Sequence, residues 1–136
     1  FGYCSSLTSV SFPVCSYIGR AAFQHCYSLT SVSFPVCNYI ESYAFGYCSS
    51  LTSVSFPVCS YINHYAFQEC YRLSRVYLMN SKVCTLSNSN VFFYTPFTRY
   101  SSYFSGRPSI FVPTSLVDAY KSATNWTFFS SYIVGI

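Results

Sequence analysis

Phe1–Ile18 reads FGYCSSLTSVSFPVCSYI, and the same residues return unchanged at Phe45–Ile62. A close variant, FQHCYSLTSVSFPVCNYI, fills Phe23–Ile40 between them. Phe1, Phe23, Phe45 and Phe67 therefore recur every 22 residues. A fixed period in the twenties marks a stack of supersecondary units, each too small to bury its own apolar side. Neighbouring units must share one interior.

Inside the first unit the apolar positions run Leu7-x-x-Val10-x-Phe12-x-x-Cys15-x-Tyr17. This fits the leucine-rich template L-x-x-L-x-L-x-x-N/C-x-L, with Phe and Tyr in place of two leucines. The alternation Val10, Ser11, Phe12 predicts a strand with Val and Phe inward and Ser outward. Pro13 ends it, because proline has no N–H for a ladder. Leu29, Val32, Phe34 and Pro35 repeat the pattern, as do Leu51, Val54, Phe56 and Pro57. Equivalent strands should stack about 4.8 Å apart in a parallel sheet. Ile18, Ala22 and Phe23 continue the interior on the other side of the coil.

The run A-F-x-x-C-x-x-L-T-S-V-x-F-P…I-x-x-Y-A-F resembles the BspA-like (Treponema pallidum-type) leucine-rich repeats over Phe1 to about Cys70. Ser109–Trp126 is similar to the last coil of that family. The resemblance implies an α/β solenoid with a parallel β-sheet on one face, irregular turns or short helices on the other, and a short C-terminal capping helix. It also implies surface display and attachment to proteins of a host or neighbouring cell.

The regular coils should occupy 1–91, loosening in the fourth, where Phe67 to Phe92 exceeds the period. Residues 92–136 form the last, irregular coil of the same continuous domain. An insertion over Tyr94–Gly106 precedes the strand Ile110–Val112. Thr114 or Ser115 is placed to cap a short helix whose start Asp118 would favour. Leu116, Ala119, Tyr120 and Ala123 recur at helical spacing, so this helix should close the core. A final edge strand is expected around Tyr132–Ile136. The chain opens in phase with the repeat and without Met, the pattern expected of a processed or excerpted chain.

Composition narrows the function. Only 7% of residues are charged while half are apolar, so burial rather than hydration dominates and disorder is excluded. No apolar run reaches the roughly 20 residues a membrane helix needs. The net charge of +4 comes from Arg20, Arg72, Arg75, Lys82, Arg99, Arg107 and Lys121, a scatter along the chain rather than the stripe nucleic acid requires.

Cys4, Cys26, Cys48 and Cys70 share one repeat position, and Cys15, Cys37 and Cys59 another. Each set should form a ladder of parallel side chains, whereas a disulfide needs convergent Cβ vectors. They read as buried structural thiols. Cys84 lies off both ladders and is expected to be the least buried. Free thiols in a displayed protein suit an anaerobic microbe.

No C-x-x-C pair or histidine cluster offers a metal site, so no cofactor is expected. His25 and His64 occupy different repeat positions, and Glu41, Glu69 and Asp118 are the only carboxylates. His25 adjoins Cys26, but neighbours on an extended segment face apart, which argues against a thiol nucleophile and against an enzyme. Asn125-Trp126-Thr127 reads as a helix C-terminus, with a glycosylation sequon as the alternative in a eukaryotic secretory route.

The strand-face hydroxyls recur from coil to coil, while Gly19–Ala21, Glu41–Tyr43, Asn63–Tyr65 and the positions of Tyr3, His25, Tyr47 and Glu69 differ. The expected function is an extracellular, surface-displayed adhesion module binding a protein partner through its repeat face. Its contact residues would be Ser9, Ser11, Ser31, Ser33, Ser53, Ser55, Ser74, Arg75 and Tyr77, joined by Tyr94, Arg99, Tyr100 and Tyr103 of the inserted loop. Two alternatives remain open. Exposed coil edges and low charge would permit head-to-tail filaments of further copies. A periodic hydroxyl ladder could meet a polysaccharide or another regular surface.

Overall fold

The alternation of inward valine and outward serine produces three-residue strands, and each coil adds a second, shorter one. In chain order these are β1 (Ser9–Ser11) and β2 (Tyr17–Ile18), β3 (Ser31–Ser33) and β4 (Tyr39–Ile40), β5 (Ser53–Ser55) and β6 (Tyr61–Ile62), then β7 (Arg75–Tyr77) and β8 (Thr85–Leu86). The last coil supplies β9 (Ser109–Val112) and the chain ends with β10 (Ile133–Gly135). The computed structural model describes residues 1–98 and 107–136.

All the pairings are parallel. β1 pairs with β3, and β5, β7, β9 and β10 form a sheet in that order beside them. On the opposite side β2, β4, β6 and β8 form a second parallel sheet where turns were expected. Tyr-Ile is a good β-forming pair, and its return in register gives the backbone a ladder partner in the neighbouring coil. The expected solenoid is present, with a narrow second parallel sheet on the side where turns or short helices were expected.

The register records where the period breaks. Ser53 pairs with Arg75 on the first sheet at the full 22-residue spacing. On the second, Tyr61 pairs with Thr85, two residues beyond that spacing. Phe67 stacks on Phe92, three beyond it, and Arg75 pairs with Ser109, twelve beyond it. The extra residues bulge between ladders and leave the strands aligned.

Between the sheets the landmark phenylalanines form one column. Ring centroids lie 5.6 Å apart for Phe1–Phe23, 5.4 Å for Phe23–Phe45, 5.4 Å for Phe45–Phe67 and 5.7 Å for Phe67–Phe92, all nearly parallel. A second column, Phe12–Phe34–Phe56, meets it edge-on or tilted, the arrangement ring quadrupoles prefer. Phe45 is fully buried, whereas Phe1 is 66% exposed. The stacking neighbour on each side completes the burial.

At the far end a 3-10 turn (Thr114–Leu116) leads into α1 (Val117–Ser122), and a second 3-10 helix (Thr127–Tyr132) leads into β10. Asp118 does lie in the first turn of α1, but no side chain caps it. The Thr114 hydroxyl instead donates to the Ile136 carbonyl at 3.2 Å, tying the helix start to the final strand. Tyr120 is buried and Leu116 partly so, while Ala119 faces solvent because α1 is too short to carry a second inward turn. Gly135 is required here: a Cβ would lie 2.9 Å from Val117 Cγ2 and 3.0 Å from Thr114 Cα.

Cys84, expected near the surface, is fully buried. Its N–H donates to the Tyr120 hydroxyl at 2.9 Å, and its carbonyl accepts from Trp126 Nε1 at 2.6 Å. The capping segment thus folds over the residue that the loosened fourth coil left off the ladders.

Replacing Phe45 by Ala should lower stability by about 3–5 kcal/mol, the usual cost of emptying an aromatic site in a packed core. Phe1→Ala, at the same repeat position but exposed, should cost well under half as much. Urea unfolding followed by far-UV circular dichroism checks both.

Candidate functional site

Because successive strand residues point to opposite sides, the outward residues of the first sheet fall into two rows. One row carries Ser9 beside Ser31, and Ser53, Arg75 and Ser109 in line. The other carries Ser11 beside Ser33, and Ser55, Tyr77, Phe111 and Val134 in line. The face is therefore graded. Coils one to three present hydroxyls, and the later coils present an aromatic and apolar surface. The Tyr77 and Phe111 rings stack at 4.6 Å, and Val134 stays exposed beside them.

Most of the expected contact residues belong to this face. Ser9, Ser11, Ser31, Ser33, Ser55 and Arg75 are exposed, and Ser53, Ser74 and Tyr77 are half-buried. Tyr94 is placed elsewhere. Its backbone is left-handed at φ 55, in the column of Tyr3, His25, Tyr47 and Glu69. Arg99, Tyr100 and Tyr103 lie outside the described residues.

That left-handed column is a feature with no glycine to announce it. Tyr3, His25, Tyr47 and Glu69 all have φ near 60, as do Ala21, Tyr43 and Tyr65 at a second repeat position. Each such residue costs on the order of 1–2 kcal/mol against a right-handed one. Ring stacking offsets part of this, with Tyr3–His25 at 4.5 Å and His25–Tyr47 at 4.4 Å. Tyr43 stacks on Tyr65 at 5.3 Å, and the Arg20 guanidinium lies 5.9 Å from the Tyr43 ring. These are the positions that differ between coils, so variation at a fixed period was the available signal. Stacked rings cover one another's faces and leave mainly polar edges for solvent.

A third column, Tyr17–Tyr39–Tyr61, follows the second sheet, with centroids 5.5 and 4.7 Å apart. Glu41 lies against it, accepting from the Ser42 N–H at 3.1 Å, the Asn63 amide and the Tyr17 hydroxyl at 3.2 Å. The Ser42 N–H, with help from those side chains, holds its carboxyl below the usual range.

All eight cysteines are free thiols. Their hydrogen bonds explain the choice of residue. Cys26, Cys48 and Cys70 donate to the carbonyls of Phe1, Phe23 and Phe45 at 3.0–3.2 Å, one coil back. Cys15, Cys37 and Cys59 donate to the carbonyls of Tyr17, Tyr39 and Tyr61. A thiol is small and apolar enough for the core yet still supplies a weak donor to a buried carbonyl. Burial pushes the Cys37 and Cys48 thiols up to about 12. A hydrogen bond to Cys59, together with burial, pushes Cys84 up as well. Protonated sulfurs of this kind are inert. Among the described residues no three His, Cys, Asp or Glu side chains are grouped to hold a metal ion.

Concavities open among the described residues at both the last coil and the regular coils. A cleft of about 480 Å³ opens at the last coil, walled by Phe93, Phe97, Phe128, Phe129 and Tyr132 with Asn90. A smaller one of about 250 Å³ lies at the turns before β5 and β7, lined by Ser49, Ser50, Tyr71 and Arg72.

A family profile described as the BspA type leucine rich repeat region matches residues 1–105 in six copies. No curated protein matches the chain.

Alkaline titration should expose the thiol ladders. Thiols of the unfolded chain ionise near 9.0, while Cys37 and Cys48 hold their protons to about 12 in the folded one. Their contribution to stability is complete below pH 9 and lost as pH rises from 9 toward 12. Urea midpoints measured across that range should fall, and the Cys37→Ala/Cys48→Ala variant should show a shallower fall than the parent.

Proposed function

The chain belongs to the BspA type leucine-rich repeat family, whose repeats are protein-interaction or adhesion-type modules and typically non-enzymatic; on that premise we propose a surface-displayed adhesion module that binds a protein partner through its first sheet. The observation that carries this reading is the row Tyr77–Phe111–Val134, half-buried at the two rings and exposed at Val134, which interrupts an otherwise hydroxylated face. Aromatic side chains with adjoining arginine are the residue types that dominate binding energy at protein interfaces. The serine rows of coils one to three supply small, adaptable hydrogen-bonding groups at little entropic cost.

Other features support the assignment. Among the described residues no helix is long and apolar enough to cross a membrane. An extracellular setting in a reducing, anaerobic habitat agrees with eight thiols kept free. The stacked columns on the other side offer ring edges rather than open ring faces. That favours protein over polysaccharide as the partner, because sugars pack on flat aromatic faces.

The test is capture of biotinylated surface proteins from candidate host or neighbouring cells. Tyr77→Ala/Phe111→Ala should weaken capture about tenfold or more, the effect of losing a central aromatic anchor. Its far-UV spectrum should remain that of the parent. Ser11→Ala/Ser33→Ala should change capture by much less. Equal capture by parent and Tyr77→Ala/Phe111→Ala would move the site off this sheet.

A further inference from the structure

Rings in the columns cover one another, whereas Phe128 has no ring partner among the described residues. It lies on the 3-10 helix Thr127–Tyr132, is 69% exposed, and lines the cleft of about 480 Å³ at the last coil. The neighbouring walls are fixed. Phe129 is buried against Phe92 at 5.3 Å, and Phe97 packs between Phe92 at 5.4 Å and Tyr132 at 5.6 Å. The Thr95 hydroxyl donates to the Phe92 carbonyl at 2.7 Å and accepts the Phe97 N–H at 3.2 Å, which locks the turn carrying that ring.

Polar groups line the same cleft without being used by the fold. Among the described residues the Ser89 and Ser131 hydroxyls have no hydrogen-bond partner, and neither has the Asn90 Oδ1. Asn90 is nevertheless held in place. Its N–H donates to the Asn88 Oδ1 at 2.9 Å and its Nδ2 to the Tyr65 hydroxyl at 3.4 Å. No charged side chain is among the described residues of the lining.

We propose that this cleft binds one neutral pyranose residue of a glycan, its C–H face on the Phe128 ring and its hydroxyls toward Ser89, Asn90 and Ser131. The negative face of an aromatic ring attracts polarised C–H groups, and Phe128 keeps that face open where the tyrosine columns close theirs. Serine hydroxyls both donate and accept, as sugar hydroxyls do, and an amide oxygen accepts from them. The volume lies within the range of small-ligand sites. A wholly apolar ligand would desolvate those polar groups without pairing them. An anionic one would find no cation in the walls. None of the lining residues belongs to the first sheet, so the proposal goes beyond the interaction face and does not rest on it.

Saturation-transfer difference NMR on the full chain tests this, with the methyl glycosides of glucose, mannose and N-acetylglucosamine as probes and a methyl sialoside and indole for comparison. At least one neutral glycoside should receive saturation at its ring protons. Phe128→Ala should weaken its binding about fivefold or more without altering the far-UV spectrum, because the ring it removes is mostly in solvent. Phe128→Trp should keep binding, and Tyr77→Ala/Phe111→Ala should leave it unchanged. No transfer to any of the three glycosides would overturn the proposal, as would equal binding by parent and Phe128→Ala, or tighter binding of the sialoside or indole. Sugar binding lost in Tyr77→Ala/Phe111→Ala but kept in Phe128→Ala would move the sugar to the first sheet and remove the cleft site. A glycan array with protein N-glycans and neutral polysaccharide fragments as separate arms then identifies the source. Enrichment in either arm supports the cleft site, and enrichment in neither counts against it.

Discussion

Ring-on-ring packing of equivalent phenylalanines is the constraint from which the architecture follows. A single coil has too few residues to enclose its own apolar side, so the neighbours above and below must complete it. The gradient from Phe1, mostly exposed, through Phe23 at 3% to Phe45 at 0% shows that completion coil by coil. Parallel stacking of identical side chains also fixes the register. A slip of one residue would turn Val54 and Phe56 outward and break both phenylalanine columns at once. The later coils tolerate insertions because the extra residues leave between the ladders, where neither column is interrupted.

A solenoid with so few charged residues must satisfy its buried backbone from within. The two sheets account for part of this, and the thiols add a weak second donor to carbonyls such as those of Phe23 and Phe45, which already accept a turn N–H. The repeated donation of Cys26, Cys48 and Cys70 to phenylalanine carbonyls one coil back ties these cysteines to the same column that organises the core. Serine at those positions would donate more strongly but would bury a more polar group, and alanine would leave each carbonyl with only the turn N–H of Cys4, Cys26 or Cys48 that it already accepts. Cysteine sits between the two.

The surface separates into regions of different physical character. Ring columns on the sides are self-satisfied, since each ring is the next one's partner and Glu41 and Glu69 are held by neighbouring side chains. The first sheet differs, because its outward serines stand beside one another without covering one another, while Tyr77 and Phe111 stack farther along. Its change from serine to arginine, tyrosine, phenylalanine and valine along the stack gives it direction, so a partner can be read in one orientation only. That asymmetry is what the proposed recognition role draws on.

The repeat period, the inward valines and phenylalanines, the proline strand ends and the family pattern were all legible in the sequence, because each depends on short-range order repeated at one spacing. Other features were not. The Tyr-Ile pairs gained a second sheet only through their partners in the next coil, and the left-handed backbone at Tyr3, His25 and Tyr47 carried no glycine to mark it. Cys84 looked peripheral because its burial comes from Tyr120 and Trp126, distant residues of the capping segment. Tyr77 and Phe111 read as unrelated until the register across β7 and β9 stacked them. Spacing along the chain fixed what repeats, whereas pairing across an insertion decided which unlike residues meet, and that depends on where the extra length is stored in space.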